Sequence, residues 1–68
     1  MIRIRLKEVL QEKGLSMSML SHKSQVSFST ISRIINDKKY SPTLNTLERI
    51  AKALNVDISD LYEQLPDD

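Results

Sequence analysis

The feature that most constrains this chain is the run Leu44, Leu47, Ile50, Ala51 and Leu54, an aliphatic series at i, i+3, i+6, i+7 and i+10. A helix of about 3.6 residues per turn stacks those positions on one side, so the run predicts an amphipathic α-helix with a single buried stripe. Thr43 offers the hydroxyl that caps its start, and Asn55 tolerates the left-handed conformation that ends it. Such a helix needs a surface to cover. The remainder of the chain must therefore supply aliphatic faces of the same period.

It does so almost from end to end. Leu6, Val9 and Leu10 form the stripe of a first helix, which Gly14 terminates. Ser16 caps a second, short helix carrying Met19 and Leu20, interrupted at Ser24-Gln25-Val26-Ser27. Ser27 then caps a third, with Ile31, Ile34 and Ile35 facing inward, and the helix ends near Asn36-Asp37. Lys38-Lys39-Tyr40-Ser41-Pro42 reads as a polar loop, its proline holding Ser41 out of helical angles. Ser59 is expected to start a short fifth helix with Leu61, Tyr62 and Leu65, before Pro66 and an acidic tail. Ile2 and Ile4 alternate as a short extended arm. One Gly and two Pro argue against an all-β fold, which needs turn residues at regular intervals.

The expectation is an all-α, compact four- to five-helix bundle without a true sheet, one domain spanning 1–68. Its predicted core is Leu6, Leu10, Leu20, Val26, Ile31, Ile34, Leu44, Leu47, Ile50, Leu54, Val56 and Leu61. With one Phe, two Tyr and no Trp, that core is aliphatic, and with no Cys it has no disulfide to help it.

The same inventory narrows function. There is no Cys, a lone His22 without an obvious partner, and no Gly-rich phosphate loop, so neither an enzyme, a metal site nor a cofactor is expected. No apolar run approaches the roughly 20 residues that span a bilayer. The opening Met-Ile-Arg-Ile-Arg lacks the apolar stretch of a signal peptide, so a cytoplasmic protein without membrane association is expected. The net charge of +1 conceals an asymmetry. Up to Tyr40 there are eight basic residues against three acidic ones, a balance of +5; from Ser41 onward, two against six, a balance of −4. A basic working half and an acidic half turned elsewhere fit that split, as does scattered solvated charge.

Two short helices joined by about four residues, with a supporting helix on either side, is a helix-turn-helix plan. Its second helix has to show short polar side chains to the major groove of DNA while aliphatics anchor the other face. The third helix meets both demands. Phe28, Ser29, Ser32 and Arg33 lie opposite its isoleucines; the serines allow close approach, and Arg33 is long enough for a guanine or a phosphate. Phe28 reads equally as a ring against a thymine methyl or as packing on the second helix. Ser27 is a cap whose helix start also favours a phosphate. Asn36, Lys38, Lys39 and Tyr40 are candidate phosphate contacts, weighed against simple solvation. His22 and Lys23 read as solvent-facing, and Met17 with Met19 as gap-filling packing.

On these residues the chain from Leu15 to Tyr62 resembles the Cro and phage-repressor type of helix-turn-helix protein, the xenobiotic-response-element class of bacterial regulators. Ser27-Phe28-Ser29-Thr30-Ile31-Ser32-Arg33-Ile34 is similar to that family's recognition-helix signature, Pro42 through Leu54 to its fourth helix, and Val56 through Tyr62 to its closing helix. The resemblance implies a lambda-repressor-like fold and a transcriptional regulator of double-stranded DNA, most simply a repressor. Because one recognition helix reads only a few base pairs, a homodimer on a palindromic operator is expected, paired through the Ile2/Ile4 arm or, by preference, through Leu61–Leu65. A small protein-interaction module, such as an antitoxin acting on a protein partner, is the competing expectation. The resemblance also adds Met17 to the DNA-binding set, where the family carries a phosphate-contacting Gln. Two further departures are Ser21 for a small Ala, and a turn in which Gln25 or its neighbour must take the positive φ that the family gives to Gly.

Overall fold

Four α-helices form where the aliphatic period predicts them: α1 (Leu6–Lys13), α2 (Met17–Ser24), α3 (Phe28–Asn36) and α4 (Leu44–Leu54). The computed structural model describes residues 2–66, so the expected acidic tail at Asp67 and Asp68 lies outside the described residues. Each start has a local cause. The hydroxyls of Ser16, Ser27 and Thr43 accept from the amides of Met19, Thr30 and Thr46 at 3.1, 3.3 and 3.2 Å. Every such cap replaces a missing intrahelical partner and contributes about 1 kcal/mol.

The ends of α1, α2 and α4 are local as well. Each stops on a residue with positive φ: Gly14 at 65°, Gln25 at 58° and Asn55 at 57°. Past α1, the N–H groups of Gly14 and Leu15 donate to the carbonyls of Gln11 and Leu10; past α4, those of Asn55 and Val56 donate to Lys52 and Ala51. These paired bonds close the helix ends. The end of α2 has a single backbone bond, Gln25 N–H to the Ser21 carbonyl at 2.9 Å. There a side chain with a Cβ occupies the left-handed region, at a cost of about 1–2 kcal/mol.

The core draws one fully buried side chain from each packed element: Leu6, Leu20, Ile31, Ile50 and, from a single 3-10 turn over Ile58–Leu61, Leu61. Each contributes about 1.5–3 kcal/mol by leaving water. Val9, Leu10, Val26, Ile34, Ala51 and Leu54 complete it. Three expected core positions differ. Leu47 and Val56 are only partly buried at its edge, and Leu44 is 64% exposed. Leu44 is the first residue of α4, where the stripe points the right way but the helix has run past the elements it covers.

The chain ends differ more. The expected fifth helix is replaced by the 3-10 turn, which starts behind Asp57 rather than Ser59; Asp57 N–H donates to the Asp60 carboxylate at 3.1 Å and Asp60 N–H to the Asp57 carbonyl at 2.9 Å. From Tyr62, with φ −145° and ψ 161°, the backbone is extended. It forms β2 (Tyr62–Gln64), antiparallel to β1 (Ile2–Ile4) in the register Ile2↔Gln64, Arg3↔Glu63 and Ile4↔Tyr62. A true, if small, sheet therefore exists, and the Ile2/Ile4 arm is one of its strands. Two short strands alone are marginal in water. Here Leu61 is fully buried beside them, Ile4 packs on the core, and Arg3 bridges Glu63 and Glu8. The Glu63 hydrogen bond first, then the charges of Glu63 and Glu8, hold the Arg3 guanidinium further toward its charged form than usual.

Candidate nucleic-acid interface

The α2–α3 corner orients the candidate site, and serines hold that corner. Gln25, Val26 and Ser27 join the helices, one residue fewer than the four expected, because Ser24 is the last residue of α2. Ser24 is buried; its hydroxyl donates to the Leu20 carbonyl at 2.7 Å and accepts from Val26 N–H at 3.3 Å. The Ser21 hydroxyl donates to the Val26 carbonyl at 2.7 Å. With the Val26 side chain buried below, both polar ends of its backbone are satisfied, so the turn has one geometry. Sequence reading treated Ser21 only as a small residue and missed Ser24 as a clamp. A Ser four residues after a buried Leu, just before a left-handed residue, is the signal that was present.

Beyond the corner, Ile31 and Ile34 bury one side of α3 and Ile35 is half-buried. At about 100° per residue, Phe28, Ser29, Ser32, Arg33 and Asn36 fall within an arc of about 140° on the opposite side. Phe28 is 48% exposed, so its ring is presented to solvent rather than folded away. The cap side chain of Ser27 binds both the Thr30 hydroxyl at 2.8 Å and the Ser29 hydroxyl at 3.3 Å. Asn36 Nδ2 donates to Ser32 Oγ one turn back at 3.1 Å. No acidic side chain lies within α3.

The loop after α3 returns toward the same face. Asp37 organises it, accepting Lys39 N–H on Oδ1 at 3.0 Å and Tyr40 N–H on its carbonyl at 3.1 Å. That turn leaves Lys38 and Lys39 exposed and brings the Tyr40 ring beneath Arg33, whose Cζ stands 4.7 Å from the ring centroid. Nothing in the spacing of Arg33 and Tyr40 foretold this stack. The structure thus brings Ser27, Phe28, Ser29, Ser32, Arg33, Asn36 and Tyr40 onto one helix face and its adjoining loop, with Lys38 and Lys39 beside them. Met17 is apart in character, a half-buried side chain packed against the core at the first position of α2. His22 and Lys23 are exposed. A second group of cations, Lys23, Arg49 and Lys52, borders a shallow cleft at the far end of α2, and only its first member was singled out in the sequence.

The chain is 33% identical over 64 residues to the HTH-type transcriptional regulator SinR of Bacillus subtilis (strain 168). That alignment covers 94% of this chain and 58% of SinR, so the chain spans rather more than half the length of this relative. No helix among the described residues is long and apolar enough to cross a membrane. The helix-turn-helix family profile matches residues 6–61, from the first residue of α1 to the last of the 3-10 turn. By that match, and by the two capped helices joined through a left-handed corner, the chain belongs to the helix-turn-helix family of the Cro and phage-repressor type.

Proposed function

We propose that this chain is a sequence-specific double-stranded DNA-binding transcriptional regulator whose residues 1–68 act as one helix-turn-helix domain. The observation that carries the reading is the outward face of α3, which is polar, free of acids, capped by Ser27 and flanked by an arginine resting on an aromatic ring. The likeness to SinR, itself an HTH-type transcriptional regulator, supports it.

In this reading α3 enters the major groove. Ser29, Ser32 and Arg33 meet base edges and Phe28 contacts a thymine methyl, because short side chains admit the backbone and a long cation reaches guanine. Ser27, Asn36, Lys38 and Lys39 hold the flanking phosphates and set the register, and Tyr40 supports Arg33 through its ring. Met17 sits at the start of α2, where amide groups rather than a side chain meet a phosphate. Occlusion of a promoter makes the simplest outcome repression. One recognition helix reads few base pairs, so two copies share a palindromic operator with half-sites about 34–36 Å apart.

Selection of bound sequences from a random duplex library, followed by titration of the selected site at several salt concentrations, tests this. Phosphate neutralisation predicts a steep fall of affinity with salt. Failure to enrich any sequence removes sequence-specific reading, and a stoichiometry of one chain per selected duplex removes the paired arrangement.

A further inference from the structure

The outer edge of β1 is open. Arg5 N–H donates to the Leu61 carbonyl at 2.7 Å, and the register places Arg3 opposite Glu63. In an antiparallel ladder the N–H and C=O of a residue point to one side, and successive residues alternate. Arg3 therefore bonds to β2, whereas Ile2 and Ile4 turn their backbone groups outward, where they meet no hydrogen-bond partner among the described residues.

An apolar groove of about 840 Å³ adjoins β1. Ile2, Arg3 and Ile4 all line it. Tyr62, paired with Ile4, lines it too. Ile2, Ile4 and Tyr62 share one face of the two-stranded sheet, so the groove lies over that face and is bordered by all of β1. A strand added at the free edge would send alternate side chains to the same face. Its other side includes Ile35, Leu44, Leu47 and Leu65. Leu44 at 64% and Ile2 at 60% are the two most exposed large apolar side chains of the described residues. An unpaired edge beside exposed apolar surface is a place where chains associate.

Charge selects the occupant. Lys7, Lys38 and Lys39 line the groove, and none pairs with a carboxylate among the described residues. Of the two acids there, Asp37 accepts the Lys39 N–H at 3.0 Å, and Glu8 accepts from Arg3 at 3.3 Å through one oxygen while its other oxygen is buried without a partner. With Arg3, four cations line the groove against these two. A second copy placed edge to edge would bring the same lysines together, and like charges so placed repel. We infer that the free edge of β1 and its groove receive an extended segment of a partner protein, apolar at alternate residues and acidic between them, which adds as a third strand. Main-chain bonds to Ile2 and Ile4 supply affinity, the apolar side chains enter the groove, and the acids meet the lysines. Lys38, Lys39 and Tyr40 border the same groove, so the segment competes with DNA for them. That last step rests on the DNA-binding reading.

The probe is a short fluorescein-labelled peptide alternating Val and Glu, titrated against the whole chain by anisotropy. Saturable binding is expected, with slowed hydrogen exchange at the Ile2 and Ile4 amides. Replacing Glu by Lys in the peptide, or methylating the backbone nitrogens that face β1, should abolish it. Ile2→Pro removes one outward donor from an exposed position without touching the β1–β2 bonds; it should weaken binding about threefold to tenfold, as loss of one hydrogen bond does. Circular dichroism of Ile2→Pro verifies its fold, and Lys7→Glu gives an independent loss in a helix that needs no refolding check at the edge. No saturable binding, or equal binding of the methylated peptide, overturns the inference. So does protection of the Ile2 and Ile4 amides that rises with protein concentration alone, which assigns the edge to a second copy. Displacement of bound peptide by the selected duplex supports the overlap. Binding without displacement leaves the strand-addition site standing and refutes the phosphate roles of Lys38 and Lys39.

Discussion

Arg33 is the longest side chain on the outward face of α3, and the ring beneath it decides where it points. With Cζ 4.7 Å from the Tyr40 centroid and the guanidinium in solvent, the stack contributes about 0.5–1 kcal/mol. An unsupported arginine has up to about 2 kcal/mol of rotamer entropy to lose on ordering, and the ring removes part of that cost before DNA arrives. Tyr40→Ala should therefore weaken operator binding about twofold to fivefold, the equivalent of that energy. The loss should concentrate at the base pair that Arg33 reads. Arg33→Ala should cost about 1–3 kcal/mol of discrimination at that base pair. In the double variant, Tyr40→Ala should add almost nothing, a coupling of about 0.5–1 kcal/mol in the cycle. Tyr40→Phe keeps the ring and should behave as the unaltered chain. The assay is anisotropy on the selected operator, on its single-base-pair variants and on random duplex at one salt concentration. Additive losses, or a Tyr40→Ala loss equal on operator and random duplex and shared by Tyr40→Phe, would refute the reasoning and make Tyr40 a direct phosphate contact through its hydroxyl.

Ile31→Ala, at a position without exposure, should lower unfolding free energy by about 2–5 kcal/mol in urea titrations, whereas Leu44→Ala, at an exposed one, should change it by less than about 0.5 kcal/mol. Gly14→Ala places a Cβ in open space, so its cost is backbone strain alone, about 1 kcal/mol after the gain from a stiffer unfolded chain. Gln25→Gly relieves the same strain in reverse and should leave thermal stability unchanged or slightly higher; a clear loss would mean the left-handed turn is not what limits that corner. Lys38→Ala should weaken operator and random duplex alike and flatten the slope of log affinity against log salt by about 1. A sequence-dependent loss would move Lys38 to the base-reading group.

How much of this was legible in the chain follows the range of the forces involved. A cap acts over three residues and a left-handed stop over five or six. The hydroxyls of Ser16, Ser27 and Thr43 and the ends at Gly14 and Asn55 could thus be read directly, whereas the left-handed turn at Gln25 came from the family resemblance, which left it open between Gln25 and its neighbour. The polar outward face of α3 was legible for the same reason, since a helix of known start and period assigns each residue a direction. Tertiary structure decided what depends on neighbours remote in sequence. Leu44 belongs to the right stripe, yet lies where no element reaches over it. Tyr62–Gln64 continues a plausible helix until β1, some sixty positions earlier, offers a strand edge and Arg3 meets Glu63. Three residues are too few to show a strand period, and their pairing becomes favourable only after α1 and the buried Leu61 have brought both chain ends together and met the loop-closure entropy. The stack of Arg33 on Tyr40 is decided in the same way, by the turn that Asp37 imposes on the loop between them.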